Sequence, residues 1–197
     1  MGLPMSLNSV SRRSWNEVLK QDGPLVLAGA YDALSTQLHE AGAKLIVADV
    51  VESNVKWAAE TFGAKAVQPD EIYDVDADVF SPCSVGSILN DDTIKRLKVK
   101  LICGTENNQL AREHHSDEVT ELGFVYIPDY VANAGGLASC DAEWYGHSSD
   151  LIESKVRGIY DTCRDILLEA RSSNRTTTLV ANAIAESRFS CSDKTDE

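Results

Sequence analysis

Apolar residues in this chain come in short unbroken runs separated by amphipathic stretches. Leu25-Val-Leu27, Lys44-Leu-Ile-Val-Ala-Asp49, Ala64-Lys-Ala-Val67, Ala77-Asp-Val-Phe80, Val99-Lys-Leu-Ile-Cys103 and Gly123-Phe-Val-Tyr126 each read as a buried strand. Between the first two, Leu34, Leu38 and Ala41 recur at helical spacing, with Gly42 as the stop. After the second, Val55, Ala58, Ala59 and Phe62 share one face of a helix from Glu52 to Phe62, ended by Gly63. Continuous apolar strands alternating with helices predict an α/β fold, a Rossmann-like three-layer domain with a mainly parallel sheet covered on both faces and C-terminal helices.

From Asp150 the period changes. Leu151, Ile152, Val156, Ile159, Tyr160, Cys163, Ile166 and Leu167 form a helical stripe over 150–170, Ser172-Ser-Asn174 breaks it, and Thr178 to Phe189 reads as a last helix. The expected organisation is a lead with a short helix over 1–23, capped by Ser11 or Ser14 and stopped at Gly23-Pro24. The alternating α/β domain follows over 24–149, then helices packing on it over 150–189 and a disordered tail over 190–197.

Three blocks of small, amide-bearing and glycine residues follow strand-like runs: Phe80-Ser-Pro-Cys-Ser-Val-Gly86, Cys103-Gly-Thr-Glu-Asn-Asn-Gln-Leu110 and Tyr126-Ile-Pro-Asp-Tyr-Val-Ala-Asn-Ala-Gly-Gly-Leu137. Alone, each is ordinary turn chemistry. In sheet order they suit the carboxyl edge of a parallel sheet, where backbone approaches a flat ligand closely. The double glycine Gly135-Gly136 would permit positive φ there. Asp49 closes the second strand, twenty residues after Gly29, with Val50 following it. A carboxylate in that place accepts hydrogen bonds from both ribose hydroxyls of an adenosine and repels a 2′-phosphate, which favours NAD over NADP. The plainer reading of Asp49 is an acid that caps the next helix. The turn between, Ala28-Gly29-Ala30-Tyr31-Asp32-Ala33, has alanine at the first two glycine positions of G-x-G-x-x-A, and Asp32 stands where a diphosphate would bind.

Composition narrows the field. Net charge is −13, from 31 acidic and 18 basic residues, which argues against nucleic acid as a partner. No apolar run approaches a membrane span and no secretory signal opens the chain, so no membrane partner is expected. Met1-Gly2-Leu3-Pro4-Met5-Ser6 fits the loose N-myristoylation pattern. The five cysteines are odd in number and lack a CxxC, and they read as reduced, small buried side chains in a cytoplasmic protein. His39 is expected to face solvent, and His114-His115 lacks zinc-helix spacing and reads as a surface pair, so no metal site is expected. Neither a Ser-His-Asp arrangement nor a Walker phosphate loop is present.

From about Leu38 to Glu186 the sequence resembles the NAD-binding, C-terminal domain of the leucine/phenylalanine/valine dehydrogenases, relatives of glutamate dehydrogenase. The matching runs are Leu38–Asp49, Phe62-Gly-Ala-Lys-Ala-Val67, Asp78-Val-Phe-Ser-Pro-Cys83, Leu89-Asn-Asp-Asp-Thr-Ile94, Asn107-Asn-Gln-Leu110, Pro128–Gly136 and Gly158-Ile-Tyr-Asp-Thr162. The resemblance implies NAD as cofactor, oxidative deamination of an apolar L-amino acid to the 2-oxo acid and ammonia, and a homo-oligomer as one arrangement. It implies that Ala28, Gly29, Ala30, Asp49, Val50, Pro82, Cys83, Ser84, Glu106, Asn107 and Asn133 bind the cofactor, with Leu137 and Cys140 at the substrate side-chain pocket. Glu106 stands where this branch usually carries alanine, which places an acid close to the ring.

That family carries its catalytic lysines in a separate N-terminal domain, and no lysine here is placed as a general base of lowered pKa. No catalytic residue is assigned, and the chain is expected to be inactive alone. Two alternatives stand beside this reading. One is a non-catalytic interaction module whose helix over 150–170 packs on a partner. The other is a fused chain, because Arg13–Leu19 and Pro24–Ser35 resemble the opening of the isocitrate lyase/phosphoenolpyruvate mutase family.

Overall fold

The structure is a computed structural model and describes residues 24–28 and 42–192. The residues up to Val125 form one compact unit and those from Tyr126 another. The first holds parallel strands β1 (Pro24–Ala28), β2 (Lys44–Ala48), β3 (Lys65–Ala66), β4 (Val79–Pro82) and β5 (Leu101–Ile102), and β6 (Val125–Tyr126) starts at its last residue. The order across the sheet is β3-β2-β1-β4-β5-β6. This is the order of the doubly wound dinucleotide fold, in which strand order reverses between β1 and β4. In register, Ala28 at the end of β1 faces Ala48 on β2 and Pro82 on β4, so Asp49 and Cys83 leave the sheet at the same carboxyl edge.

Helix α1 (Glu52–Phe62) follows β2 with the expected bounds. Its buried face, Ala58 and Phe62, joins Leu45, Val47 and Ala64 in a core against which Ala43, Val55 and Val79 also pack. Gly63 ends the helix at φ 63°, where its N–H donates to the Ala59 carbonyl at 3.0 Å. That left-handed conformation suits a residue without Cβ. Further along, two single 3-10 turns (Glu71–Asp74 and Ile94–Arg96) stand where longer helices would fit an idealised α/β repeat. Arg96 ties them together. Its guanidinium reaches Asp70 at 2.8 Å and Asp74 at 2.6 Å, and it lies 5.3 Å above the Tyr73 ring. Helix α2 (His115–Glu121) then leads to β6.

The second unit is helical: α3 (Asp129–Ala132), α4 (Ala134–Tyr145), α5 (Ser149–Ser173) and α6 (Thr177–Ser192). Its core gathers Val131, Ile166, Ala170, Val180 and Ala181, with Cys163 and Ile184 against it. Thr177 Oγ1 donates to the Tyr126 carbonyl at 2.7 Å, and the Tyr130 hydroxyl donates to Asn182 Oδ1 at 2.7 Å. Asn174, in the predicted break, ends α5 in the left-handed region at φ 54°. Of the expected α5 stripe, Ile166 is buried, whereas Leu151, Val156 and Tyr160 are exposed.

Two expectations need correction here. Gly135 and Gly136 do not use positive φ for a ligand turn, because both lie inside α4. A Cβ at Gly135 would meet Val156 and Ile159 at 3.6–3.7 Å, so the glycine faces α5 rather than a flat ligand. The cysteines are also less buried than expected: Cys83, Cys103 and Cys163 are half-buried and Cys140 is exposed. Among the described residues no helix is long and apolar enough to cross a membrane.

Candidate cofactor site

The carboxyl edge of the first unit is built from the ends of β2, β4 and β5. Asp49, directly after β2, accepts from the Val51 N–H at 2.9 Å through Oδ1 and from Asn54 Nδ2 at 2.8 Å through Oδ2. The capping reading is therefore met: Asp49 organises the entry to α1, whose own N-cap, Val51, has no side-chain acceptor. An ionised carboxylate offers about four lone-pair directions, so two acceptor sites remain for the paired hydroxyls of a ribose. This fits an adenosine at the end of β2. An open groove of about 670 Å³ borders Asp49 and runs along α1 to Val67, Gln68, Pro69 and Glu71. It does not include the β4 and β5 blocks, which form a separate part of the edge.

Those two blocks are zipped together. The Cys103 N–H donates to the Phe80 carbonyl, and the Glu106 N–H to the Pro82 carbonyl, both at 3.0 Å. The Ser87 N–H donates to the Asn108 carbonyl at 2.7 Å. Gly86 lies against the same chain, since a Cβ there would stand 3.1 Å from the Asn107 carbonyl oxygen. Thr105 Oγ1 donates to Cys83 Sγ at 3.3 Å. Beneath this surface the Glu106 side chain is almost fully enclosed, at 3% exposure. One carboxylate oxygen, Oε2, accepts from Ser84 Oγ at 2.8 Å and from the Ser84 N–H at 3.3 Å. Burial first, and the Glu106 carboxylate second, push the Tyr73 phenol above its ordinary pKa.

The structure thus brings Pro82, Cys83, Ser84, Glu106 and Asn107 to one place. Asn107 and Ser84 are exposed there, and Asp49 and the fully exposed Val50 lie at the end of β2. Ala28 ends β1 between them, while Gly29 and Ala30, with His39 and the rest of the altered phosphate turn, lie outside the described residues. In the second unit Asn133 joins α3 to α4, its N–H closing α3 on the Asp129 carbonyl at 2.8 Å. Leu137 and Cys140 follow three residues apart on that helix, both exposed.

Sequence reasoning missed Gln109. Its side chain is wholly buried, and Nε2 donates to the Gly104 and Glu106 carbonyls at 2.9 and 3.1 Å, which holds the loop from inside. Among the described residues its Oε1 has no hydrogen-bond partner. A second miss is the histidine pair, of which His114 is exposed but His115 is buried at 1% exposure. The side chains of Asp91, His114, His115 and Glu118 converge, with potential ligand atoms within 4.8 Å of one another. His115 Nδ1, however, accepts the Arg112 N–H at 3.1 Å, so in the neutral ring Nε2 carries the proton and donates to Asp91 Oδ1 at 3.2 Å. A ring in that tautomer has no lone pair left for a metal, which makes buried His115 and exposed Asp91 a tether rather than a ligand pair. No local motif announces it, because the partners are separated by 24 positions.

Comparison with known proteins agrees with this geometry. Residues 32–189 match the model of the Glutamate/Leucine/Phenylalanine/Valine dehydrogenase family. Leucine dehydrogenase from Bacillus subtilis (strain 168) is 45% identical over 156 residues, covering 79% of this chain and 43% of that protein. L-tryptophan dehydrogenase from Nostoc punctiforme (strain ATCC 29133 / PCC 73102) is 43% identical over 162 residues, 82% of this chain and 46% of that protein. A crystal structure of the tryptophan dehydrogenase from Nostoc punctiforme superposes with a TM-score of 0.83 at 37% identity, over 88% of this chain and 53% of that one. The chain therefore spans about half the length of the relatives it matches. Together, the strand order, the blocks at its carboxyl edge and these matches establish that the chain belongs to the Glutamate/Leucine/Phenylalanine/Valine dehydrogenase family.

Proposed function

We propose that these 197 residues are the NAD-binding half of an amino-acid dehydrogenase that oxidatively deaminates an apolar L-amino acid to the 2-oxo acid and ammonia. The observation that carries this reading is Asp49 at the end of β2, in a sheet whose order reverses between β1 and β4. The adenosine ribose would lie on Asp49, whose carboxylate keeps acceptor sites for two hydroxyls and repels a 2′-phosphate. Pro82, Cys83, Ser84, Glu106 and Asn107 would hold the nicotinamide half, with the Asn107 side chain supplying both a donor and an acceptor for the carboxamide. Ala28, Gly29, Ala30, Val50 and Asn133 complete the proposed cofactor set. Leu137 and Cys140 would line an apolar side-chain pocket, which accords with the leucine and tryptophan named for the relatives.

The bound cofactor supplies the hydride acceptor. These residues would bind and orient it. A general base and a group polarising the carbonyl are also required for deamination. No lysine of this chain is assigned to either role, so the chain by itself binds cofactor without turnover. The assay is NADH production by the purified chain with leucine, phenylalanine or tryptophan as substrate. No turnover is expected, and turnover of any of the three would contradict the assignment of a cofactor half only.

A further inference from the structure

His114 and Glu118 stand one turn apart at the start of α2, where the Glu118 N–H donates to the His114 carbonyl at 3.1 Å. Residues at i and i+4 present their side chains on one face of a helix. Asp91, from the segment before the Ile94–Arg96 turn, reaches the same point, with His114 Nε2 3.8 Å from its Oδ1. Together with His115, their potential ligand atoms lie within 4.8 Å of one another. His115 itself cannot ligate, because Nδ1 accepts the Arg112 N–H and Nε2 donates to Asp91. That hydrogen bond instead holds the Asp91 carboxylate in place, as outer-shell donors do for metal-binding carboxylates. A carboxylate has about four lone-pair directions, so one bond from His115 leaves room for a cation. The spacing that matters is therefore His114 to Glu118, not the adjacent histidines.

We propose that Asp91, His114 and Glu118 form a binding site for a divalent transition-metal ion of the zinc type. One imidazole and two carboxylates are ligands that zinc accepts, they neutralise its charge, and they leave a fourth tetrahedral position to water. Ligand atoms about 2.0–2.1 Å from a tetrahedral zinc stand ~3.3 Å apart, so the group has to close by about 1.5 Å at most. The side chains of Asp91, His114 and Glu118 are 60%, 55% and 24% exposed, so their torsions can supply this without disturbing the core. The local competitor is Lys95, whose Nζ lies 3.9 Å from Glu118 Oε1 on a side chain 64% exposed. A doubly charged ion at shorter range displaces it. Bound metal would clip the segment at Asp91 to the start of α2 and so stabilise the first unit, since the ligands come together only in the folded chain.

The test is calorimetric titration of the full, untagged chain with zinc(II), alongside H114A and E118Q. His114 makes no side-chain cap for α2 and both residues lie at the surface, so the two variants keep the fold. Cobalt(II) serves as the spectroscopic probe, because a nitrogen and oxygen ligand set lacks the thiolate charge-transfer band that cysteine ligands give. The expected result is one zinc per chain with a Kd in the micromolar range and a zinc-dependent rise in Tm. Each variant should weaken that binding at least about tenfold and abolish the rise in Tm. Zinc binding that either folded variant retains at the unaltered affinity would overturn the site. So would a cobalt spectrum with thiolate character only, or the absence of zinc binding by the unaltered chain.

Discussion

A Cβ placed on Gly104 would stand 2.1 Å from the Pro82 carbonyl oxygen and 2.6 Å from its ring, so the turn after β5 passes directly over the end of β4. Neither partner can yield. Pro82 is buried in the sheet, and its carbonyl already accepts the Glu106 N–H. G104A should therefore destabilise the first unit by about 3 kcal/mol, the upper range for overpacking a closed core. Urea unfolding measures this directly, and a loss below ~1 kcal/mol would show that the two blocks can separate without cost.

Arg96 should give the first unit an acid-sensitive clamp. Its hydrogen bonds hold the Asp70 and Asp74 carboxyls below the ordinary carboxylate pKa. A depressed folded-state pKa contributes stability that is complete above the unfolded value and disappears as pH falls through the folded value. The stability difference between the unaltered chain and R96Q should thus be constant from neutral pH to about pH 5 and shrink on further acidification. Denaturant titrations across that range check it. A difference that grows in acid would contradict the assignment.

The cysteines of the second unit should differ in reactivity. Burial pushes the Cys163 thiol above its ordinary pKa, and its side chain packs against the α5–α6 core. Cys140 is exposed on α4. At pH 8 a thiol reagent should modify Cys140 well before Cys163, because Cys140 is accessible and burial holds Cys163 in the less reactive thiol form. Peptide mapping of the labelled chain reads the order, and equal rates would place Cys163 outside the core.

Much of this architecture was legible from local patterns. Helix α1 has the bounds expected from Val55, Ala58, Phe62 and the Gly63 stop, and the strand-like runs all lie in one sheet. Helix α4 was not legible, because Gly135 and Gly136 resemble a ligand turn. Their helical state is set by packing on Val156 and Ile159, a contact distant in sequence. The same applies at the site. Pro82, Cys83, Ser84, Glu106 and Asn107 were identifiable as loop residues, but the burial of Glu106 under Ser84 depends on β4 and β5 lying side by side. The His115–Asp91 tether and the internal brace at Gln109 likewise arise only once the chain has folded.

Asp49 should decide which dinucleotide is accepted. Replacing it with asparagine keeps one acceptor oxygen, enough for the Val51 N–H, but removes the second acceptor and the charge. D49N should lower NAD affinity by ~10–100-fold, the scale of a lost charge-assisted hydrogen bond. It should also narrow the preference for NAD over NADP, because the 2′-phosphate no longer meets a carboxylate. Competition binding with both dinucleotides measures the change, and an unaltered preference would confine Asp49 to its capping role.

The most direct test of the whole account is calorimetric titration of the unaltered 197-residue chain with NAD. A cofactor half with Asp49 at the ribose and Ser84, Glu106 and Asn107 at the ring should give saturable binding at one site, with a Kd in the micromolar range, about −8 kcal/mol. No binding heat at any temperature tested, together with no NAD-dependent rise in Tm, would contradict it and favour the chain as an interaction module instead.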